Sequence, residues 1–261
     1  MIVYINKGSI MLKQLLLSSL FTASLFAAQT SCPSHYLEGI APDILNQKLT
    51  PKTQEICYEG FGIIHSGITK SALYSAEYLT REKIAVKISR KDEFHPESKL
   101  PASERAELGD YARSGYDRGH LTPSADMGSV NAQAESFSLA NMIPQDGTSN
   151  RGIWSAIEGA TRHTANKDGG IFVITGALYQ GGNLKAIGRN NVLVPTQVYK
   201  VVFSPKQQKG AVYIVNNIPE DSYKIISIAE LEKISGINYF PKLSQAQKEK
   251  ILELPAPKKR G

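Results

Sequence analysis

The feature that most constrains the fold is a series of β-rich segments in the second half of the chain. Gly170-Ile171-Phe172-Val173-Ile174-Thr175-Gly176, Val192 to Phe203 and Ala211-Val212-Tyr213-Ile214-Val215 are dense in β-branched and aromatic residues. Such side chains suit a pleated, buried surface. Pro195 makes the middle segment irregular. Upstream, Gly62 to Ser66 and Leu73 to Leu79 also read as strands, and Ile84 to Ile88 alternates as a half-buried strand does. Helical spacing predicts a helix over Arg151 to Thr164, where Ile153, Ile157 and Ala160 recur and Asn150 stands at the N-cap position. A second helix is predicted from Ser227 to Ser235. Glu135 to Leu139 fits either a strand or a short helix. Strands with few helices and no regular alternation predict an α+β fold, its central sheet mixed, mainly antiparallel and flanked by helices.

The N-terminus carries a different pattern. Met11-Leu12-Lys13 precedes an apolar run from Leu15 to Phe26 and then Ala27-Ala28-Gln29. A basic start, a short apolar run and small residues form a secretory signal pattern, and the run is short for a membrane span. Residues 1–28 are therefore read as a signal peptide, with Met11 an alternative start, and the mature protein as periplasmic or secreted, without a membrane anchor. Cys32 and Cys57, an even count in an oxidising compartment, are then expected to form one disulfide. Closing a loop of about 25 residues is worth roughly 3 kcal/mol on a loop-entropy model. The resulting division is an arm over 29–60, a main domain over 61–245 and a basic, flexible tail over 246–261. Residues 91–116 are polar and read as a long surface loop, a kind of segment that is usually functional. The net charge of +6 favours polyanionic partners.

Chemistry concentrates in two segments. The first, Gly115 to Met127, contains Asp117-Arg118-Gly119-His120. Histidine has the side-chain pKa nearest neutrality and can take a proton from water at working pH. Gly119 allows a tight backbone bend beside it. The second segment holds Asn141, Pro144-Gln145, Asn150, the single tryptophan Trp154 and Glu158. Eight helical positions separate Asn150 from Glu158, about 80° beyond two full turns, which puts them on adjacent faces. Mg²⁺ prefers oxygen donors and keeps most of its water. One amide oxygen from Asn150, with Glu158 holding metal-bound water, would suffice. Taken singly, each segment has a bland reading: a turn with a surface histidine, and an N-cap with a solvent-facing glutamate. His35, His65, His95 and His163 have no partner at metal-ligand spacing.

Together the two segments resemble the DNA/RNA non-specific endonuclease family, the endonuclease G-like ββα-metal nucleases. The Asp-Arg-Gly-His motif stands at 117–120, the Asn-x-x-Pro-Gln element at 141–145 and the Asn-x-x-x-Trp-x-x-Leu-Glu helix at 150–158, with Ile157 for leucine. The resemblance covers residues ~60 to 240 by pattern. It implies a ββα-metal active-site motif and hydrolysis of DNA and RNA with 5′-phosphate products. It also implies roles: His120 as the general base, Asn150 as the direct ligand of a hydrated Mg²⁺, with Mn²⁺ an alternative, and Glu158 orienting metal-bound water. Asn141 supports the site, and an arginine beside the phosphate maps to Arg90, with Arg81 the second choice. Arg118 and Asp117 are assigned to substrate binding. Lys87, Arg105, Arg113, Arg151 and Arg162 are further candidates for a phosphate groove. A homodimer stays open, as do two rival functions, a non-catalytic nucleic-acid-binding relative and a phosphodiesterase for small substrates.

Overall fold

The computed structural model describes residues 30–258. The signal-peptide reading, the start at Met11 and the end of the basic tail, Lys259-Arg260, lie outside the described residues. The main elements in chain order are β1 (Thr53–Cys57), β2 (Gly62–Ser66), β3 (Ser71–Thr80), α1 (Arg81–Ala85), β4 (Asp117–His120), α2 (Val130–Ser136), β5 (Met142–Gln145), α3 (Ser155–Asp168), β6 (Gly170–Leu178), β7 (Gln197–Ser204), β8 (Lys209–Asn216), β9 (Lys224–Ile226), α4 (Ile228–Ser235) and α5 (Gln245–Glu249). Seven strands form the central sheet in the order β9-β8-β7-β6-β3-β2-β1. All its pairings are antiparallel. The α+β fold is as the β-rich runs predict.

Both faces of the sheet are covered, and strand alternation decides which residue joins which layer. On β7, Val198 and Val202 pack with Trp154, Ile157 and Ile171 under α3. Tyr199, Val201 and Phe203 point the other way, to Ile228, Leu231 and Tyr239 around α4. The functional residues all lie on the α3 side.

Four local expectations are corrected. Ile84 to Ile88 is not a strand, because Thr80 Oγ1 accepts from Lys83 N at 3.3 Å and caps α1, turning the chain out of the sheet. The stretch from Val192 to Phe203 splits at Pro195, which cannot donate to a ladder. Cys32 and Cys57 are bonded, with Cα atoms 5.5 Å apart, but the arm of 29–60 is no appendage, since its β1 pairs with β2 along the sheet edge. Nor is the chain loose from residue 246. Leu252 N donates to Gly210 O at 3.0 Å, Tyr213 Oη donates to Pro255 O at 2.6 Å, and Leu252 and Leu254 are buried. Two leucines in the segment Ile251 to Leu254 supplied the apolar signal that its basic, proline-rich surroundings masked.

Leu252 is 1 % exposed. Leu252→Ala is therefore expected to cost about 2–4 kcal/mol, read as a lower urea midpoint with an unchanged slope. An unchanged midpoint would mean that this segment does not pack.

Candidate functional site

Two strands and a helix frame the site. β4 and β5 form an antiparallel ribbon in which Asp117 faces Gln145 and His120 faces Met142. Gly119 is required there by close approach, not by a bend. It sits in extended strand, and a Cβ would come within 2.1 Å of Gln145 Oε1. After β5 the chain turns into a helix whose N-cap is Asp146, its Oδ1 accepting from Ser149 N at 3.0 Å. Asn150 is therefore not the cap. It opens a π-helical turn, Asn150–Trp154, ahead of α3. A π turn adds about one residue to the helical circuit and so winds back roughly 100°. The excess of about 80° between Asn150 and Glu158 becomes a deficit of about 20°, and both side chains line one cleft.

That cleft has a volume of about 680 Å³, and its walls include His120, Asn150, Glu158, Arg90, Asp117 and Arg118. Asn150 Nδ2 donates to Asp117 Oδ2 at 3.0 Å, which leaves the amide oxygen as its remaining acceptor. Asp117 is also gripped by Arg151 through both oxygens, at 2.9 and 2.6 Å. The substrate-binding assignment of Asp117 is thus corrected: its carboxylate is occupied in orienting Asn150. Asn141 does not line the cleft. It is fully buried behind the cleft, its Oδ1 accepting from Thr122 N while its Nδ2 donates to Thr122 O and Ser136 O. It braces the turn after His120 and has no amide group left for substrate. Arg81 donates to Asn166 O, away from the cleft, so the upstream arginine in the site is Arg90.

The sequence reading missed an aromatic clamp and a buried charge cluster. Phe137 meets the His120 ring edge-on at 5.1 Å, and Phe94 lies 5.8 Å away. The Arg118 guanidinium stacks 4.1 Å above Phe94, and Arg90 lies 5.3 Å from the Phe137 centroid. Two phenyl rings thereby hold one imidazole and two cations. Beneath them a polar stripe crosses three strands. Lys200 is completely buried, donating to Thr175 Oγ1 at 2.6 Å and Leu121 O at 3.4 Å, with Trp154 5.2 Å from its Nζ. Thr122 Oγ1 donates to Ser75 Oγ at 2.9 Å, and Arg162 pairs with buried Asp126 at 2.7 Å. The signal was available: Lys200 interrupts Val198 to Phe203, and Glu77 interrupts Leu73 to Leu79.

Electrostatics follow from this placement. Burial, with Arg90 adding to it, pulls His120 down to about 3. The imidazole is neutral across the physiological range. Burial pushes Glu158 up to about 7, against the pull of Lys200 and Arg162. Burial also holds Glu77 well above the usual carboxylate range, with Asp126 reinforcing it.

The DNA/RNA non-specific endonuclease model matches residues 42–246. The chain belongs to the DNA/RNA non-specific endonuclease family. It is 29% identical to the mitochondrial nuclease EXOG of Homo sapiens over 74% of this chain and 58% of that one. It is 30% identical to the mitochondrial nuclease 1 of Schizosaccharomyces pombe over 77% of this chain and 70% of that one. The fold resembles the crystal structure of EndoG bound to EndoGI, with a TM-score of 0.70, 24% identity and coverage of 76% and 89% of the two chains. This family member spans less than two thirds of the length of human EXOG.

One expectation falls here. Both curated relatives are mitochondrial nucleases, which contradicts the periplasmic or secreted placement. Residues 1–29 contain no acid and several serines, features that secretory and organellar targeting segments share.

The His120 environment gives a direct test. Because the folded pKa is depressed, the unfolded chain takes up a proton below about pH 6.5 that the folded chain refuses, and this histidine costs stability as pH falls through that range. NMR of the His120 ring should show the neutral form down to pH 5, and Arg90→Gln should move the titration upward. A midpoint near 6.5 in the unsubstituted protein would contradict the burial-based account.

Proposed function

We propose that this chain is a sugar-non-specific endonuclease that hydrolyses phosphodiester bonds of DNA and RNA and leaves 5′-phosphates. One observation carries the reading: a single cleft is lined by His120, Asn150, Glu158 and Arg90, which come from three separate stretches of chain. The donor set fits a hydrated Mg²⁺. Asn150 offers a hard amide oxygen whose orientation Asp117 fixes, and Glu158 offers a carboxylate on the same wall. The two rings and three arginines nearby offer no competing soft ligand. Asn150 would hold the ion directly and Glu158 would hold its water. When bound, the cation supplies Lewis-acid stabilisation of the crowded phosphorus centre and of the departing 3′ oxygen.

The protein groups do the remaining work. His120, neutral at working pH, accepts the proton of the attacking water. Its low basicity in the free protein is partly the field of Arg90. A phosphate anion between the two would offset that field and raise the basicity of the imidazole when substrate is present. Arg90 then stabilises charge growing on the non-bridging oxygens. Arg118, 4.1 Å over the Phe94 ring, faces the same cleft and can pair with a neighbouring phosphate. None of these contacts requires a particular base or a 2′-hydroxyl, so recognition through the backbone gives affinity without sequence preference.

Plasmid nicking in Mg²⁺ tests the roles separately. His120→Ala should slow nicking by about 10²- to 10⁴-fold, and an unchanged rate would remove it as the base. Asp117→Ala should raise the Mg²⁺ concentration needed for half-maximal rate, by about tenfold or more, because Asn150 loses its orienting partner. If that concentration stays the same, the assignment of Asn150 as ligand is wrong.

A further inference from the structure

A second cavity of about 500 Å³ adjoins the cleft, and Tyr116 lines both. Its other walls are the loop carrying Lys185, the turn at Val194-Pro195 and the loop at Ile218-Pro219. The volume suits a nucleoside-sized ligand. The surfaces are mostly apolar, and Ile218 is 49 % exposed at the rim. Lys185 is also exposed; its carbonyl accepts from Val194 N at 2.8 Å, while its ammonium makes no hydrogen bond or ion pair among the described residues. Asp146, the acid in the cavity, is occupied as the cap that accepts from Ser149 N at 3.0 Å.

The walls are fixed. Buried Asn217 donates to Pro144 O at 3.0 Å and Pro195 O at 2.9 Å and accepts from Asp146 N at 2.8 Å, tying three segments together. Tyr116 is held by its own turn, its N donating to Ser114 Oγ at 3.1 Å while Ser114 Oγ donates back to Tyr116 O at 3.3 Å. A half-buried aromatic ring, proline and isoleucine surfaces and one unpaired ammonium together match a base with an adjoining phosphate. Stacking on an aromatic ring tolerates any base, so such a site adds affinity without adding sequence preference.

We propose that a nucleotide flanking the scissile phosphate docks in this second cavity, its base against Tyr116 and its phosphate at Lys185. The proposal rests on the nuclease reading and extends it to single-stranded substrate: a base inside a duplex could not leave its partner without loss of pairing.

The test is steady-state hydrolysis of a short fluorogenic single-stranded DNA in Mg²⁺. Lys185→Ala and Ile218→Ser alter exposed positions and should raise KM by about tenfold with little change in kcat. Lys185→Ala should also reduce the salt dependence of log KM by about one phosphate contact. A 2-aminopurine placed beside the cut should be quenched on binding, and less so in Tyr116→Ala than in Tyr116→Phe. If the unsubstituted protein cuts but both rim variants match it in KM and salt slope, the docking site is refuted while the nuclease reading stands. If the unsubstituted protein does not cut, the nuclease reading itself fails.

Discussion

The site depends on a lysine that no water reaches. Lys200 stands in the middle of β7, and its ammonium is surrounded by protein. Burying an ammonium alone would cost several kcal/mol even after relaxation. Burial lowers the ammonium's pKa, and Glu158, Glu77 and Asp126 oppose it in part, each favouring the charged form. Thr175 and Leu121 accept its hydrogen bonds. The contact with Leu121 O matters most for function, because Leu121 follows His120. A residue fixed in the rigid centre of the sheet thereby holds the backbone next to the proposed base. Arg162 completes the arrangement from the helix side through Asp126. The loop after β4, helix α3 and the sheet cannot shift independently without separating charges in a medium of low dielectric.

The aromatic clamp acts on the imidazole ring itself. Phe94 lies in the long polar loop and Phe137 in the turn after α2, so the clamp needs that loop docked. Its docking is visible: His95 N donates to Phe137 O at 3.3 Å and Leu139 N to His95 O at 2.8 Å. Glu97 adds buried hydrogen bonds from Tyr58 and Ser138. The loop that brings Arg90 and Phe94 to the cleft is therefore anchored from the residue after Phe94 onward. Its polar composition reflects these anchors as much as exposure to solvent.

Much of this was legible. β-Branched density gave the antiparallel sheet, the order of three short motifs gave the family, and the same motifs pointed to His120, Asn150 and Glu158, which line one cleft. What escaped was geometry that depends on other elements. The π turn at Asn150–Trp154, whose Ile153 and Trp154 are buried, carries no local signal in the sequence, and it turns Asn150 and Glu158 toward one wall. Asn141 belongs to the motif, yet the burial that makes it a brace comes from Thr122 and Ser136, which the motif does not contain. Lys200 and Glu77 were visible as interruptions in apolar runs. Their meaning required knowing that β3, β6 and β7 are neighbours with Glu77, Thr175 and Lys200 on one face.

The same distinction explains how a weakly basic chain can present a site for a polyanion. The net charge of +6 is spread over the whole sequence, and the cleft itself carries both signs. Asp117 is paired with Arg151, and Glu158 lies under the influence of Lys200 and Arg162. The cations left facing outward are Arg90 and Arg118, each lying on a phenyl ring, although Arg90 also meets exposed Asp92 at 2.5 Å. That surface pair is weak in water and open to exchange for phosphate. Contact with the rings restrains the guanidinium groups before substrate arrives, so less freedom is lost when phosphate binds. The acids are paired with neighbouring cations, and the two remaining arginines stand over phenyl rings. Local pairing, and not the overall charge, gives the cleft its sign.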